Sequence, residues 1–447
     1  MSDVVAAAQA PMPPSPKGLR GRMTQAVGWN TVGTMFNQGS TFLVNIVLAH
    51  LLARRAFGHY AMIQTTLAIV ASMAQLASGY TAAKYVAEYR DSEPRRAGQI
   101  LGLCAVVSVA MAITAAAALL VGSKWLAAAA LNEPDLSTGL MIASAVVFFT
   151  VMNGFLLGAL AGFESFPAIG RAGIATGTLY VLFGAAGGYL GAVNGALIGV
   201  ALSALLQFAI LWALLVRETA CRRITVAFTG LRQEREILLR FYLPAALNGL
   251  VALPAIWLAN ALLARQSNGY EQLALFAAAN SFRIIVLFLP NILNTVGMSL
   301  LNNQRGAGDE VRFRRLFWGN LAFTAVVASI GAIAVALAGP LLLQMFGPEF
   351  TAAYPTLIVL MLAAVAEGLA MAIFQSIQSH GYIWAAFFGV ALPSYTALVL
   401  AAGAWSPALG ALGLAWAYVM CWSIALTANG LLVWWLGVWS APRSRLA

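Results

Sequence analysis

Charged side chains are scarce in this sequence. They make up 9% of its 447 residues, whereas soluble globular domains carry about 25%. Hydrophobic residues make up 61%, and the mean hydropathy is +0.83. This composition excludes a water-soluble, fibrous or disordered protein. Because a membrane-spanning helix needs about 20 mostly apolar residues, the chain has enough for about a dozen spans. We therefore predict a polytopic helical membrane protein.

Reactive and metal-binding residues are also few. The three cysteines are scattered, which excludes a disulfide framework and a CxxC metal site. The three histidines have no metal-ligand spacing. None of the lysines lies in a GxxxxGK[ST] phosphate loop, so ATP hydrolysis by that route is excluded. We expect no catalytic residue, no cofactor and no bound metal.

Long polar loops are missing on the side opposite the termini. A membrane polysaccharide polymerase or ligase usually needs a sizeable outward catalytic loop with paired carboxylates. The loop after the first predicted span reads only ARRAFG (Ala53–Gly58). This disfavours an enzyme, and polymerase or ligase activity stays open as an alternative from a different class.

Apolar runs separated by polar breaks predict twelve spans. The predicted fold is all-α, with two six-helix bundles at 24–216 and 241–447, a disordered cytoplasmic tail at 1–23 and a cytoplasmic linker at 217–240. The segment Leu231–Phe241 alternates apolar and charged residues at helical spacing, which predicts either an amphipathic helix on the membrane surface or a solvated basic loop. The predicted spans are 27–52, 58–83, 98–122, 138–161, 168–190, 192–216, 241–264, 273–301, 316–344, 354–379, 385–405 and 408–436.

Basic residues are distributed unevenly among the connections. Placing both termini in the cytoplasm puts 20 of the 25 lysines and arginines on that side and four on the other, with Arg283 inside a span. This asymmetry follows the positive-inside rule and supports an even number of spans. It also accounts for the net charge of +10 without a nucleic-acid partner.

Three stretches of the first half recur in the same order in the second half. Because six spans separate the copies, both copies have the same orientation. Transporters built from such repeats bind substrate between the repeats, near the membrane midplane. The paired stretches are Leu48–Gln64 with Leu258–Ser281, Ala161–Gly173 with Ser379–Val390, and Asn194–Leu206 with Leu409–Met420.

Two ionisable residues fall well inside predicted spans. Arg283 lies in the eighth span, and Glu367 lies near the middle of the tenth. A charge at a helix centre costs about 2.5–3.5 kcal/mol on insertion scales, so such residues pair or mark a functional site. Two interpretations stay open. Either the two side chains form an ion pair, or both face a water-filled cavity in which Arg283 binds a phosphate bidentately and Glu367 titrates or binds a cation.

Polar side chains follow one face of the first span and recur sparsely in the seventh. Amides need partners in lipid, so we expect these faces to line a cavity. Arg54 and Arg55 close the first span and Arg265 closes the seventh; they act either as interfacial anchors or as a positive ring that binds an anionic substrate. The cavity-lining candidates are Asn30, Thr34, Asn37, Gln38, Thr41, Asn45, Asn248 and Asn260.

Glycines recur every fourth residue in the fourth to sixth spans. Gly154, Gly158 and Gly162 make two successive GxxxG steps. Small residues at this spacing let helices approach closely in lipid. The pattern predicts either static close packing or smooth faces along which helices slide.

Two short motifs are the most specific in the chain. One is the FG-x-Y step of Phe57, Gly58 and Tyr60, and the other is the AEYR step at Ala87–Arg90. Together with the span number, the central basic linker and the repeat, they resemble the polysaccharide-biosynthesis flippases. These form the O-antigen and exopolysaccharide branch of the multidrug/oligosaccharidyl-lipid/polysaccharide (MOP) exporter superfamily. The resemblance covers nearly the whole chain.

The resemblance implies a multi-pass protein of the bacterial plasma membrane that moves undecaprenyl-pyrophosphate-linked oligosaccharide to the outer leaflet by alternating access. It implies that cavity arginines bind the pyrophosphate, with Arg283 at a suitable depth and Arg54, Arg55 and Arg265 at the outer mouth. It also implies an ion gradient, for which Glu367 is the coupling candidate. The implied partners are the lipid-linked substrate, membrane lipids and polymerase or export proteins of the same pathway.

Two other transporters stay open as alternatives. Cation-coupled drug exporters on the same scaffold commonly carry an acidic residue in the first span, and this chain has none there. A lipid-II flippase usually has two further spans, for which this chain has no room.

Overall fold

Helices make up nearly all of the chain that the structure describes. The computed structural model describes residues 19–75, 78–228, 249–306, 310–380 and 382–435, and no strand occurs within these ranges. The helices are α1 (Leu19–Leu51), α2 (Arg54–Gln75), α3 (Ser78–Tyr89), α4 (Pro94–Trp125), α5 (Leu136–Gly162), α6 (Phe166–Cys221), α7 (Gly249–Ala264), α8 (Gly269–Gly306), α9 (Glu310–Gln344), α10 (Tyr354–Ser379), α11 (Ile383–Ala386), α12 (Leu392–Leu409) and α13 (Ala411–Trp435). Short π-helical turns at Leu126–Ala130 and Phe387–Ala391 and a 3₁₀ turn at Pro348–Ala353 complete them.

Nine helical segments of the described residues are long and apolar enough to cross a membrane. One of them, α6, contains two predicted spans, because its backbone leaves helical geometry at Gly191 (φ −145°) and Ala192 (φ 49°). The first predicted span lies on α1, and the described part of the seventh, residues 249–264, lies on the shorter apolar helix α7. Within the described residues, each of the twelve predicted spans thus lies mainly on helix, and the predicted all-α polytopic fold is confirmed.

The break before the last helix lies later than the sequence predicted. The predicted spans 385–405 and 408–436 place the break at residues 406–407, but α12 continues through Pro407 to Leu409. The chain turns at Gly410, where φ is 58°. Because glycine adopts a positive φ without a Cβ penalty, Gly410 rather than the proline ends the helix.

The described chain divides into two compact units. Unit 1 comprises the described residues of 1–44, 70–123 and 137–247, and unit 2 comprises those of 45–69, 124–136 and 248–447. Helix α1 therefore belongs to unit 1 up to Val44 and to unit 2 from Asn45. Residues 1–18 of the predicted tail and the whole predicted linker helix lie outside the described residues, and the predicted domain boundaries stay a prediction.

Glycines bring helices of unit 1 into backbone contact. A Cβ atom on Gly79 of α3 would lie 2.6 Å from the carbonyl oxygen of Gly154 on α5. A Cβ atom on Gly158 would overlap the backbone of Gly79. Between α6 and α1, a Cβ atom on Gly177 would lie 2.6 Å from Oγ of Ser40. Close packing at the GxxxG steps is therefore present, and sliding along these faces stays a prediction.

The FG-x-Y motif packs the start of α2 inside unit 2. Phe57 is buried, and its ring centroid lies 6.4 Å from that of Phe346 and 5.8 Å from that of Phe350. At Gly58, any Cβ atom would overlap the carbonyl group of Tyr270, at the start of α8. The motif therefore joins the start of α2 to helices of the C-terminal half of the chain.

The AEYR motif ends α3 inside unit 1. The Arg90 side chain is only 7% exposed. Its Nη1 donates to the carbonyl oxygen of Gly162 at 2.8 Å, and its Nη2 lies 2.5 Å from Oε1 of Glu164. Since Gly162 is the last residue of α5, the arginine satisfies a helix-terminal carbonyl that has no partner within its own helix.

Candidate functional site

Arg283 on α8 and Glu367 on α10 form an ion pair inside unit 2 through Nη1 and Oε2. The Nε of Arg283 donates to Oδ1 of Asn280 at 2.7 Å, and its Cζ lies 5.1 Å from the ring centroid of Tyr418. The side chains of the pair are 11% and 16% exposed. The ion pair, one of the two interpretations that the sequence left open, is therefore present.

Burial makes this pair costly to disrupt. Two charges that leave water lose hydration, and their attraction compensates only when the geometry is good and further polar contacts exist. Here Asn280 and the Tyr418 ring supply such contacts to the guanidinium. Removing one partner would leave an uncompensated buried charge, which typically costs about 3–5 kcal/mol.

The Arg283 guanidinium retains donors that no described residue uses. It has five N–H groups. Nε donates to Asn280 and Nη1 to Glu367, while Nη2 makes no hydrogen bond with any residue that the structure describes. Because arginine binds phosphate through two parallel N–H groups, this guanidinium retains donors suited to a phosphate oxygen.

The predicted amides of unit 2 differ in environment. Asn260 on α7 is 5% exposed, and its Oδ1 has no hydrogen-bond partner within the described ranges. A buried amide oxygen without a partner is unusual and marks a place where a polar ligand or water would gain a hydrogen bond. Asn45 near the end of α1 is half-buried, whereas Asn248 lies outside the described residues.

The predicted polar residues of α1 in unit 1 are mostly exposed. Asn37, Gln38 and Thr41 all fall in this class. Thr41 donates from Oγ1 to the backbone oxygen of Asn37 at 3.1 Å, a bond within the helix. The side chain of Asn30 lies outside the described residues.

A cavity of about 520 Å³ lies within unit 1, between α1, α2, α3, α5 and α6. Of the predicted residues, Thr34 and Asn37 lie on its wall. Gln75 and Gln207, which were not among the residues predicted from sequence, also lie there. Both interrupt apolar helices, so the argument applied to the first span would have found them. Three aromatic residues also lie on the wall: Trp29, Tyr80 and Phe166.

Two of the three predicted outer arginines face carboxylates within unit 2. The Nη2 of Arg55 lies 2.7 Å from Oε2 of Glu133, and the Nη2 of Arg54 lies 3.5 Å from Oε2 of Glu271. Neither Glu133 nor Glu271 was among the site residues predicted from sequence. Arg265 is exposed, and its guanidinium makes no ion pair with the part of the chain that the structure describes.

The described residues contain no group of three or more histidine, cysteine or acidic side chains arranged to hold a metal. The three cysteines are free.

The fold is similar to that of solved transporters. An inward-facing multidrug resistance MATE family transporter of the MOP superfamily aligns with a TM-score of 0.77 at 13% identity, covering 94% of this chain and 100% of the other. A MOP superfamily transporter from Pyrococcus furiosus aligns with a TM-score of 0.63 at 16% identity, covering 94% and 96%. At these identities the likeness shows the fold.

Curated relatives are similar over most of the chain. The EPS I polysaccharide export inner membrane protein EpsE of Ralstonia nicotianae is 28% identical over 415 residues, covering 90% of this chain and 92% of the relative. The protein of the same name from Ralstonia solanacearum is 28% identical over 410 residues, covering 86% and 88%. The model of the polysaccharide biosynthesis protein family matches residues 23–301, which is more than half of the chain. This multi-pass membrane protein therefore belongs to the polysaccharide biosynthesis protein family.

Proposed function

We propose that this protein is a flippase for undecaprenyl-pyrophosphate-linked oligosaccharide in the bacterial inner membrane. The product would serve O-antigen, exopolysaccharide or capsule synthesis. The family and the relatives named for polysaccharide export from the inner membrane support this proposal. The similarity to MOP transporters favours movement of a substrate over a covalent reaction.

The observation that carries the proposal is the buried ion pair of Arg283 and Glu367. An arginine inside an apolar helix is expensive and marks a substrate or ion pathway. A pyrophosphate is the anionic part of a lipid-linked oligosaccharide, and the unused donors of Arg283 suit its oxygens. The pyrophosphate would bind Arg283 and leave Glu367 with a weaker partner.

Glu367 is then the residue that couples transport to an ion gradient. A buried carboxylate that loses its cation is destabilised in its charged form. It would take up a proton or bind a cation when the substrate binds Arg283. Transport by alternating access would follow, with both termini in the cytoplasm.

The three outer arginines and the amides have supporting roles in this proposal. Arg265 would attract the anionic headgroup at the outer mouth, and Arg54 and Arg55 would do so after separating from Glu271 and Glu133. The polar residues of α1 and α7 would contact the glycan. Polymerase or export proteins of the same pathway would receive the product.

Deletion of the gene tests the function directly. Cells that lack it should accumulate lipid-linked oligosaccharide on the cytoplasmic leaflet, where externally added glycan-modifying enzymes cannot reach it. The wild-type gene should remove this pool, and the Arg283→Ala variant should not, although it inserts in the membrane normally. Absence of any pool in the deletion strain would contradict the proposal.

The coupling role needs a separate measurement. Reconstituted vesicles that contain the Glu367→Gln variant should lose the acceleration of transport by an ion gradient. Their downhill transport at high substrate concentration should persist. An unchanged response of this variant to pH and to cation gradients would show that Glu367 only stabilises Arg283.

A further inference from the structure

The cavity in unit 1 combines carboxamide side chains with aromatic rings. Asn37, Gln75 and Gln207 lie on its wall together with Trp29 and Phe166. Among the described residues, no aspartate, glutamate, lysine or arginine lines it. The volume of about 520 Å³ lies within the range of about 300–1,000 Å³ that is typical of ligand pockets. The wall therefore indicates a ligand that is polar but uncharged.

The carboxamides are each held in a way that leaves polar atoms unused. Gln75 donates from Nε2 to the carbonyl oxygen of Thr150 at 3.1 Å, so its Oε1 remains an acceptor without a partner in the described chain. Gln207 accepts at Oε1 from Nδ2 of Asn153 at 3.3 Å, so its Nε2 remains a donor. The Asn37 side chain makes no hydrogen bond with residues that the structure describes. Its amide therefore offers both a donor and an acceptor.

Close packing against glycine keeps two wall residues in position. A Cβ atom on Gly154 would lie 2.8 Å from Cδ of Gln75, so the glutamine lies flat on the backbone of α5. A Cβ atom on Gly170 would lie 2.7 Å from Cε3 of Trp29, so the indole lies on the backbone of α6. The glycines thus make room for a fixed amide and a fixed aromatic ring.

The amides and aromatic rings of the cavity wall suit some classes of transported ligand better than others. A cationic drug would find no carboxylate on the described wall, and a pyrophosphate would find no basic residue. An apolar chain would leave the unused amide atoms without hydrogen bonds, which is unfavourable. A hydroxyl group both donates and accepts, so a polyhydroxyl ring satisfies the amides while its C–H face packs on the aromatic rings.

We infer that the cavity of unit 1 is a subsite for neutral sugar rings of the glycan carried by the lipid substrate. The inference rests on the proposed function and adds a residue-level location for glycan recognition. Asn37, Gln75 and Gln207 hydrogen-bond the sugar hydroxyls, and Trp29 packs against the ring. The pyrophosphate is recognised elsewhere, by Arg283.

Equilibrium binding of two lipid probes to the full-length protein in nanodiscs tests this inference. One probe is undecaprenyl pyrophosphate without sugar, and the other is the glycan-bearing lipid extracted from the deletion strain. The variants are Asn37→Ala, Gln75→Met and Gln207→Met, with Arg283→Met as the pyrophosphate control. The matched control Asn194→Ala changes an exposed asparagine of the same unit that does not line the cavity.

We expect each of the three cavity variants to weaken binding of the glycan-bearing lipid about tenfold, as loss of one well-placed hydrogen bond does. Binding of the sugar-free lipid should stay within twofold of wild type. The Asn194→Ala variant should bind both probes normally. Because Asn37 has no side-chain bond to the described protein, its variant keeps the test independent of folding.

Two results separate failure of the inference from failure of the proposed function. If Arg283→Met weakens both probes while the cavity variants weaken neither, or weaken both equally, the sugar subsite is wrong and the flippase proposal stands. If the wild-type protein binds neither probe, the proposed function fails and the subsite fails with it.

Discussion

Arg283 and Glu367 form an ion pair between α8 and α10, although 84 residues separate them along the chain. Both side chains are largely buried, and the guanidinium also contacts Asn280 and the Tyr418 ring. A buried ion pair is weak evidence for a role in stability, because well-packed apolar residues often serve equally well. Replacing both members of the pair by apolar residues should therefore preserve stability while removing any role of the pair in transport.

Export should depend on the shape of the Arg283 side chain as well as on its charge. Arg283→Met removes the phosphate donors, and Arg283→Lys keeps a charge but loses the planar, bidentate fork. We expect no polysaccharide export from the methionine variant and at most a small fraction from the lysine variant. Surface polysaccharide, normalised to the amount of variant in the membrane fraction, measures this. Wild-type export from Arg283→Met would remove this residue from the site.

The same pair should show a strong non-additive effect on stability. Arg283→Met and Glu367→Met each leave one buried charge unpaired, and we expect each to lower the free energy of unfolding by about 3–5 kcal/mol. The double variant leaves no charge and should recover most of that loss. Thermal unfolding of the purified proteins measures the cycle. The double variant should nevertheless fail to export, and recovery of export would assign the pair a purely structural role.

Close helix contact at Gly158 should be sensitive to a single methyl group. In Gly158→Ala the Cβ atom overlaps the backbone of Gly79, which cannot move without displacing α3. We expect a loss of about 1–3 kcal/mol, as for other overpacked positions. The matched control is Gly122→Ala on α4, where a Cβ atom meets nothing within 4 Å. The control should be as stable as wild type or slightly more so, and equal destabilisation of both variants would contradict the packing account.

The pair Arg55–Glu133 should respond to a charge swap. Its side chains are 62% and 12% exposed, so the pair is partly screened by solvent and contributes about 0.2–1 kcal/mol. Arg55→Glu and Glu133→Arg should each lower the unfolding temperature at low salt, and the double variant should restore it. The control Arg265→Glu changes an arginine that forms no ion pair with the described residues. If the two single effects simply add in the double variant, the contact does not stabilise the fold.

The structure explains the residues of the two motifs on which the family resemblance rests. Gly58 is required because α8 passes directly over it at Tyr270. Arg90 is required because the end of α5 leaves a carbonyl oxygen that it caps. Neither reason is visible in the sequence, since each depends on a helix far along the chain.

The candidate site likewise has residues that the sequence could identify and contacts that it could not. Arg283 and Glu367 could be singled out from sequence, because the cost of placing a charge in an apolar helix depends only on the helix itself. Their pairing could not, because it depends on how α8 and α10 pack. Gln75 and Gln207 were missed because the polar pattern was followed only in the first and seventh spans. Their common cavity arises from the approach of helices whose separation in sequence is large.

Hydropathy alone determined that this chain is a membrane protein and predicted twelve spans along it, because the free energy of burying a helix in lipid is set by its own residues. Only the tertiary structure decided which side chains meet. The tertiary structure joined residues 45–69 and 124–136 to the C-terminal half in one compact unit. It also paired Arg55 with Glu133 and left unused hydrogen-bonding atoms on the wall of the unit 1 cavity. These outcomes depend on contacts between distant segments, and in lipid such contacts are set by the shape and polarity of the packed faces rather than by hydropathy.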